Sequence, residues 1–192
     1  GYFVHQYGLQ SGTSSSFKIS MEEPLASQAF FNSRLLGAMF LHAGEKFHAT
    51  ASLFAENDAM KMSTDKLGNE AWGAMTRLVW RPFTERGKIF HIGISGAYES
   101  PRYSKNPANS HSSYTLRAPF PTRIANVSAQ EATITNATAL WKFSPEMNVA
   151  CGNLGLEVQY FYVGIKRDHA LPNYSAWGAY GNVRYLLNGQ GY

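Results

Sequence analysis

The chain has 192 residues, enough for one ordinary domain, and 16% of them are charged, below the roughly 25% of a soluble domain. Its net charge of +4 is spread out, without the dense Lys/Arg cluster that a nucleic-acid partner would call for. The single cysteine, Cys151, excludes an intrachain disulfide framework and a cysteine-based zinc site, and no apolar run approaches the roughly 18 residues of a transmembrane helix.

In chain order, the start has neither the basic nor the apolar region of a signal peptide and reads as the middle of a strand over 2–7. The one helix-like piece covers 21–30: Pro24 suits a first helical turn, and Glu22 and Glu23 read as acids complementing the helix dipole rather than as a catalytic pair. It sits in a long link, where a loop can fold back. A strand over 35–41 and a short link over 43–46 follow. Over 47–56, Phe47, Ala49, Ala51, Leu53 and Ala55 alternate with His48, Thr50, Ser52 and Glu56, and Phe54 is the exception on the polar face. Beyond a polar link at 58–69, Trp72, Ala74, Thr76, Leu78 and Trp80 oppose Gly73, Met75, Arg77, Val79 and Arg81.

A short link at 82–87 leads to Phe90, Ile92, Ile94 and Tyr98, set against His91, Gly93, Ser95 and Glu99. Residues 100–128 form a long polar link, 132–143 a weaker Thr-rich strand, and 144–146 a short link containing Pro145. Then Leu154, Leu156, Val158, Tyr160 and Tyr162 oppose Glu157 and Gln159. After a link at 166–174, Trp177, Ala179, Val183, Tyr185 and Leu187 oppose Asn182 and Arg184. The chain stops at 188–192 directly after a strand, so the expectation is a segment of a longer protein.

This gives about eight strands, several near the roughly 9–11 residues that cross a bilayer at a tilt. Short and long links alternate strictly, the organisation of an up-and-down outer-membrane barrel. Several apolar stripes end in aromatic residues, which collect at membrane interfaces. Trp72 and Trp80 stand about 26 Å apart along one face at ~3.3 Å per residue, which with tilt suits an apolar band of about 25 Å. On that reading Arg77, Arg81 and Arg184 line a water-filled lumen, and Arg77 and Arg81 need no buried partner. The loop at 100–128 carries Arg102, Lys105, Arg117 and Arg123 with no acid among them. Guanidinium groups offer forked donors to oxyanions, and files of Arg and Lys are how anion pores select.

Two other architectures fit the pattern. One is a soluble or surface β-sandwich whose exposed Tyr and Trp stack on carbohydrate; the other is a small eight-stranded barrel acting as an anchor. An enzyme has little support. Ser14-Ser15-Ser16 reads as a loop, the histidines are scattered with His48 and His91 as ordinary wetted side chains, and the glycines at 152 and 155 precede a strand rather than a helix. Neither a cofactor nor a metal is expected.

Three stretches carry a family pattern: Thr13-Ser-Ser-Ser-Phe-Lys-Ile-Ser-Met-Glu-Glu-Pro through Phe30 and on to Asn32-Ser-Arg-Leu-Leu-Gly37, then Gly87-Lys-Ile-Phe-His-Ile-Gly-Ile-Ser-Gly-Ala-Tyr98, then Leu156 through Leu171-Pro172 to Gly189. In these the chain resembles the phosphate-selective porin O and P family of bacterial outer membranes. The resemblance implies a sixteen-stranded, homotrimeric barrel in outer-membrane lipid, passing small anions such as phosphate by diffusion. It implies anion contacts at Arg117 and Arg123 in the long loop, and Arg34 matches a family arginine; beside these, Lys18 and Arg34 are expected near the constriction and Arg77, Arg81 and Arg184 along the lumen. The chain departs from the family where Glu22-Glu23 replaces a Glu-Arg pair, and where its long loop holds fewer arginines than a dense ladder.

Overall fold

The computed structural model describes residues 1–13, 18, 23–30, 34–55, 72–85, 87–100, 113–119, 127–168 and 170–187. Within these, period-2 sequence becomes strand: β1 (Tyr2–Val4), β2 (Arg34–Ala43), β3 (Phe47–Ala55), β4 (Trp72–Glu85), β5 (Lys88–Ser100), β6 (Ser113–Pro119), β7 (Ser128–Thr135), β8 (Ala137–Cys151), β9 (Leu154–Arg167) and β10 (Tyr174–Tyr185). Two short helices, α1 (Gly8–Gly12) and α2 (Leu25–Phe30), lie between β1 and β2.

Eight strands make one antiparallel sheet in the order β1-β2-β3-β4-β5-β8-β9-β10, and β6 pairs with β7 in a separate hairpin. With that hairpin set aside, each strand lies beside its sequence neighbour, the up-and-down order expected from the links. The sheet is open, with β1 and β10 as its edges. Tight turns join β4 to β5 at Gly87 (φ 77°) and β8 to β9 at Gly152 (φ 58°), left-handed conformations that glycine adopts without a Cβ penalty.

Several sequence expectations need correcting. The opening strand is cut to β1, and His5–Tyr7 leads into α1, which periodicity did not reveal. The helix expected over 21–30 is α2 alone among the described residues. The link at 82–87 is mostly strand, with a register irregularity between Trp80 and Phe83 around Pro82, a site where a residue without an N–H can be absorbed. The link at 144–146 is no link: Ser144, Pro145 and Glu146 lie inside β8, paired with Ser95, Ile94 and Gly93 of β5. On its other side, β8 pairs Phe143 with Tyr162 and Glu146 with Gln159, so the register to β9 continues past the proline. The strand over 132–143 divides at Asn136, whose φ of 56° turns the chain out of β7 into β8. The long link at 100–128 contains β6, and the link at 58–69 lies outside the described residues.

The two faces are partitioned in reverse of a soluble protein. On β4, Trp72, Leu78 and Trp80 are 52%, 54% and 46% exposed, whereas Met75, Arg77 and Val79 are each 4% exposed. The outward surface continues through Phe40, Phe47, Leu53, Ile92, Ile94, Trp141, Phe143, Trp177 and Val183, and no second sheet covers it among the described residues. A contiguous apolar surface of this kind marks contact with a membrane or partner, and its alternation with a polar inner face is that of a barrel wall. Its aromatics form two bands. Tyr98 opposite Trp141, and Tyr162 opposite Trp177, stand toward the long-link end, while Phe47 opposite Trp80 stands by the short turns.

The inner face is layered along the strands. Toward the long-link end, Leu35, Phe54, Leu140, Phe161, Val163 and Ile165 pack with Tyr7, Phe30, Leu116 and Ile134 into a dry core beneath α2 and the β6–β7 hairpin. Phe54, anomalous in the sequence, fills this core against His5, ring centroids 4.9 Å apart. Toward the short turns the same face carries charge.

Candidate functional site

The polar half of the inner face is built from alternate residues of β3, β4, β5, β8, β9 and β10, with α1 laid across it. Gly8 brings α1 onto the wall: its N–H donates to Ser95 Oγ at 3.0 Å, and a Cβ there would overlap the Gln159 amide. Gln10 Nε2 donates to Glu157 Oε1 at 2.7 Å, and the Tyr180 hydroxyl donates to the same oxygen at 2.8 Å. Gln159 Nε2 donates to Ser144 Oγ at 2.8 Å, which ties β9 to β8 beside the proline.

Each acid on this face meets a cation. Arg77 Nη2 lies 2.5 Å from Glu146 Oε1, with Arg77 Nε donating to Oε2 at 3.4 Å, and His91 Nε2 stands 2.8 Å from the same Oε1. Lys142 Nζ lies 2.8 Å from Glu99 Oε1 and faces the rings of Tyr114 and Tyr7 at 5.3 and 6.0 Å, joining the hairpin and the N-terminal segment to the wall. Arg184 Nη2 donates to Asn148 Oδ1 at 3.0 Å and lies 3.8 Å from Glu157 Oε2. Buried charges persist in pairs because an unpaired one costs several kcal/mol, by about 3–5 kcal/mol when one partner is removed.

The expectation that Arg77 needs no buried partner is therefore corrected: α1 covers the wall and removes its water, and Glu146 compensates the charge. The other cations singled out from sequence are dispersed. Lys18 pairs with Glu23, both in the segment between α1 and α2. Arg117 is exposed on the hairpin, donating to Ser128 Oγ at 2.6 Å and 3.5 Å from Glu131 Oε2. Arg34 stands exposed at the first position of β2. Arg123 lies outside the described residues. Arg81 differs from these. Its Nη2 donates to the Gly44 carbonyl at 3.0 Å, while its Nε is buried without a hydrogen-bond partner among the described residues.

Sequence reasoning passed over His48 and His91 as wetted side chains. In the structure His48 Nε2 bonds to Gln6 Oε1 at 2.8 Å, and both imidazoles line a cavity of about 250 Å³ with Arg77, Arg81, Asn148 and the end of α1. Their alternation with apolar neighbours was the available signal, since it already placed them on the face of Arg77 and Arg81. Glu146 was missed because the proline beside it disguised its strand.

A polar, charge-bearing inner face and an apolar outer face with aromatic bands are the two sides of a pore wall. A search of curated proteins gave no match. The family model described as phosphate-selective porin O and P matches residues 1–192, the whole chain. With the match and the wall in agreement, the chain belongs to the phosphate-selective porin O and P family.

Proposed function

We propose that the protein passes small anions, phosphate among them, by passive diffusion along the polar face of this sheet, which forms part of a closed, homotrimeric barrel of sixteen strands. Membership of the porin family supports the reading of an outer-membrane channel. The observation that carries the proposal is the reversed partition: Leu78 exposed and Arg77 buried one residue apart on β4. Closure follows from the two open edges, whose unpaired backbone groups lipid does not tolerate.

Transport needs no covalent step. The lumen replaces hydration by polar side chains, so that an ion is held well enough to enter and loosely enough to leave. Because Lys18, Arg77, Arg117 and Arg184 each have a carboxylate partner, most of their charge is cancelled locally. In the proposal the excess rests on Arg81, for which no carboxylate partner stands among the described residues, with Arg34 and Arg123, so selectivity for anions is expected to be modest rather than absolute. The full-length protein in planar bilayers under a KCl gradient tests this. A reversal potential on the chloride side supports the proposal; cation selectivity or absence of channels refutes it.

A further inference from the structure

Toward the long-link end, one charged pair sits under the apolar cover of the inner face. Glu99 of β5 and Lys142 of β8 are 2% and 3% exposed, with Nζ 2.8 Å from Oε1. Both stand on the wall itself, Glu99 in register with Leu140 and Lys142 with Ala97, so the pair exists whether or not anything covers it. The cover comes from two elements outside the wall. Tyr7 leads into α1 and is tied to it at both its N–H and its carbonyl by Ser11 Oγ, and Tyr114 belongs to β6. Their rings lie 6.0 and 5.3 Å from Lys142 Nζ.

No backbone ladder joins the β6–β7 hairpin to the eight-stranded sheet among the described residues, and its β7 end meets β8 through Asn136, whose φ is 56°. The hairpin has two unlike faces. Leu116, Ala118 and Ile134 are buried against the wall side, while Thr115, Arg117, Glu131 and Thr133 are exposed on the other. Docking it on the wall sets two effects against each other. It buries apolar side chains, which is favourable, and it strips water from an ion pair that stays paired without it, which is not. The Tyr7 hydroxyl is also buried without a hydrogen-bond partner among the described residues, a further cost of the docked arrangement.

We propose, on the reading of this sheet as a pore wall, that the β6–β7 hairpin and the Tyr7–α1 segment form a lid over the Lys142–Glu99 pair, which narrows the lumen when docked and widens it when lifted. Lys142 is the positioning residue that both parts of the lid share. Docked, the hairpin presents its Thr and Arg/Glu face to the solute path in place of the wall. Lifted, it returns water to the ion pair without breaking it, so the pair makes lifting easier than an apolar floor would.

The test uses the full-length protein, with single-channel conductance in planar bilayers and, in lipid vesicles, labelling by a water-soluble maleimide at Ala118→Cys in a Cys151→Ser background. Lys142→Met leaves Glu99 unpaired beneath the lid, so conductance should rise. Labelling should quicken by about a hundredfold, because it follows the lifted population and an unpaired buried charge is costly on that scale. Adding Glu99→Leu removes the remaining charge and should return both readings to wild-type values or below. Tyr114→Ala leaves the ion pair whole and should also raise both, and it serves if Lys142→Met forms no channels. A merely structural role for the pair would change the yield of folded channels and not the conductance of each. Wild-type conductance and labelling in Lys142→Met and Tyr114→Ala, or a double variant as open as Lys142→Met alone, overturns the lid while leaving an anion-selective pore intact. A cation-selective wild-type channel that still shows these differences overturns the anion reading and leaves the lid.

Discussion

Arg77 shows how the wall handles charge. It is 4% exposed on a sheet face that the sequence reads as wet, and Glu146, itself 3% exposed, is shared between it and His91. Removing the acid leaves a buried guanidinium unpaired, so Glu146→Ala is expected to lower stability by about 3–5 kcal/mol. Replacing both partners with apolar residues of similar volume, Arg77→Met with Glu146→Leu, should recover most of that loss. Urea unfolding of the full-length protein in detergent checks the pair, and a double variant no more stable than the single would contradict it. Alternation in the sequence placed Arg77, Glu157 and Gln159 on one face correctly. The pairing itself was not legible, because Arg77 and Glu146 are 69 residues apart and meet across β5 only through two successive strand registers.

At the scale of elements, the strands were legible and their ends were not. Period-2 patterning reports which face a residue occupies and is silent on where a turn falls, so Pro145 was read as a turn when it sits within β8, and the glycine at 152 makes the turn instead. The consequence of correct facing can be measured on β4. Leu78→Arg places a cation on the outward face between the aromatic bands and should cost about 2–4 kcal/mol of folding stability in bilayers, as charge at midplane depth does in barrels. Folding titrations into lipid vesicles read this directly; a neutral effect would place Leu78 away from lipid. α1, invisible to periodicity because it has five residues, is held by the close approach of Gly8 to Gln159. Gly8→Ala should lift α1 from the wall and increase single-channel conductance, whereas unchanged conductance would show that α1 does not narrow the lumen.

For the whole molecule, the choice between a soluble sandwich and a barrel wall turned on which face water reaches. Composition favoured the wall through its low charge and its aromatic stripe ends, yet a sandwich core would produce the same alternation. The structure separates them, since the stripe with Trp72 and Trp80 is exposed and the polar face lies under α1, α2 and the hairpin. Residues whose roles depend on the loops, Arg123 above all, stay beyond what either periodicity or the described residues place. The most direct test is a labelling scan along β4 in the full-length protein carrying Cys151→Ser, reconstituted in lipid. Single cysteines at Ala74, Met75, Leu78 and Val79 would carry a fluorophore read with a lipid-soluble quencher. Strong quenching at 74 and 78 with little at 75 and 79 is the expected result; the opposite pattern, or uniform quenching, would contradict a wall with lipid on the tryptophan face and the pore on the arginine face.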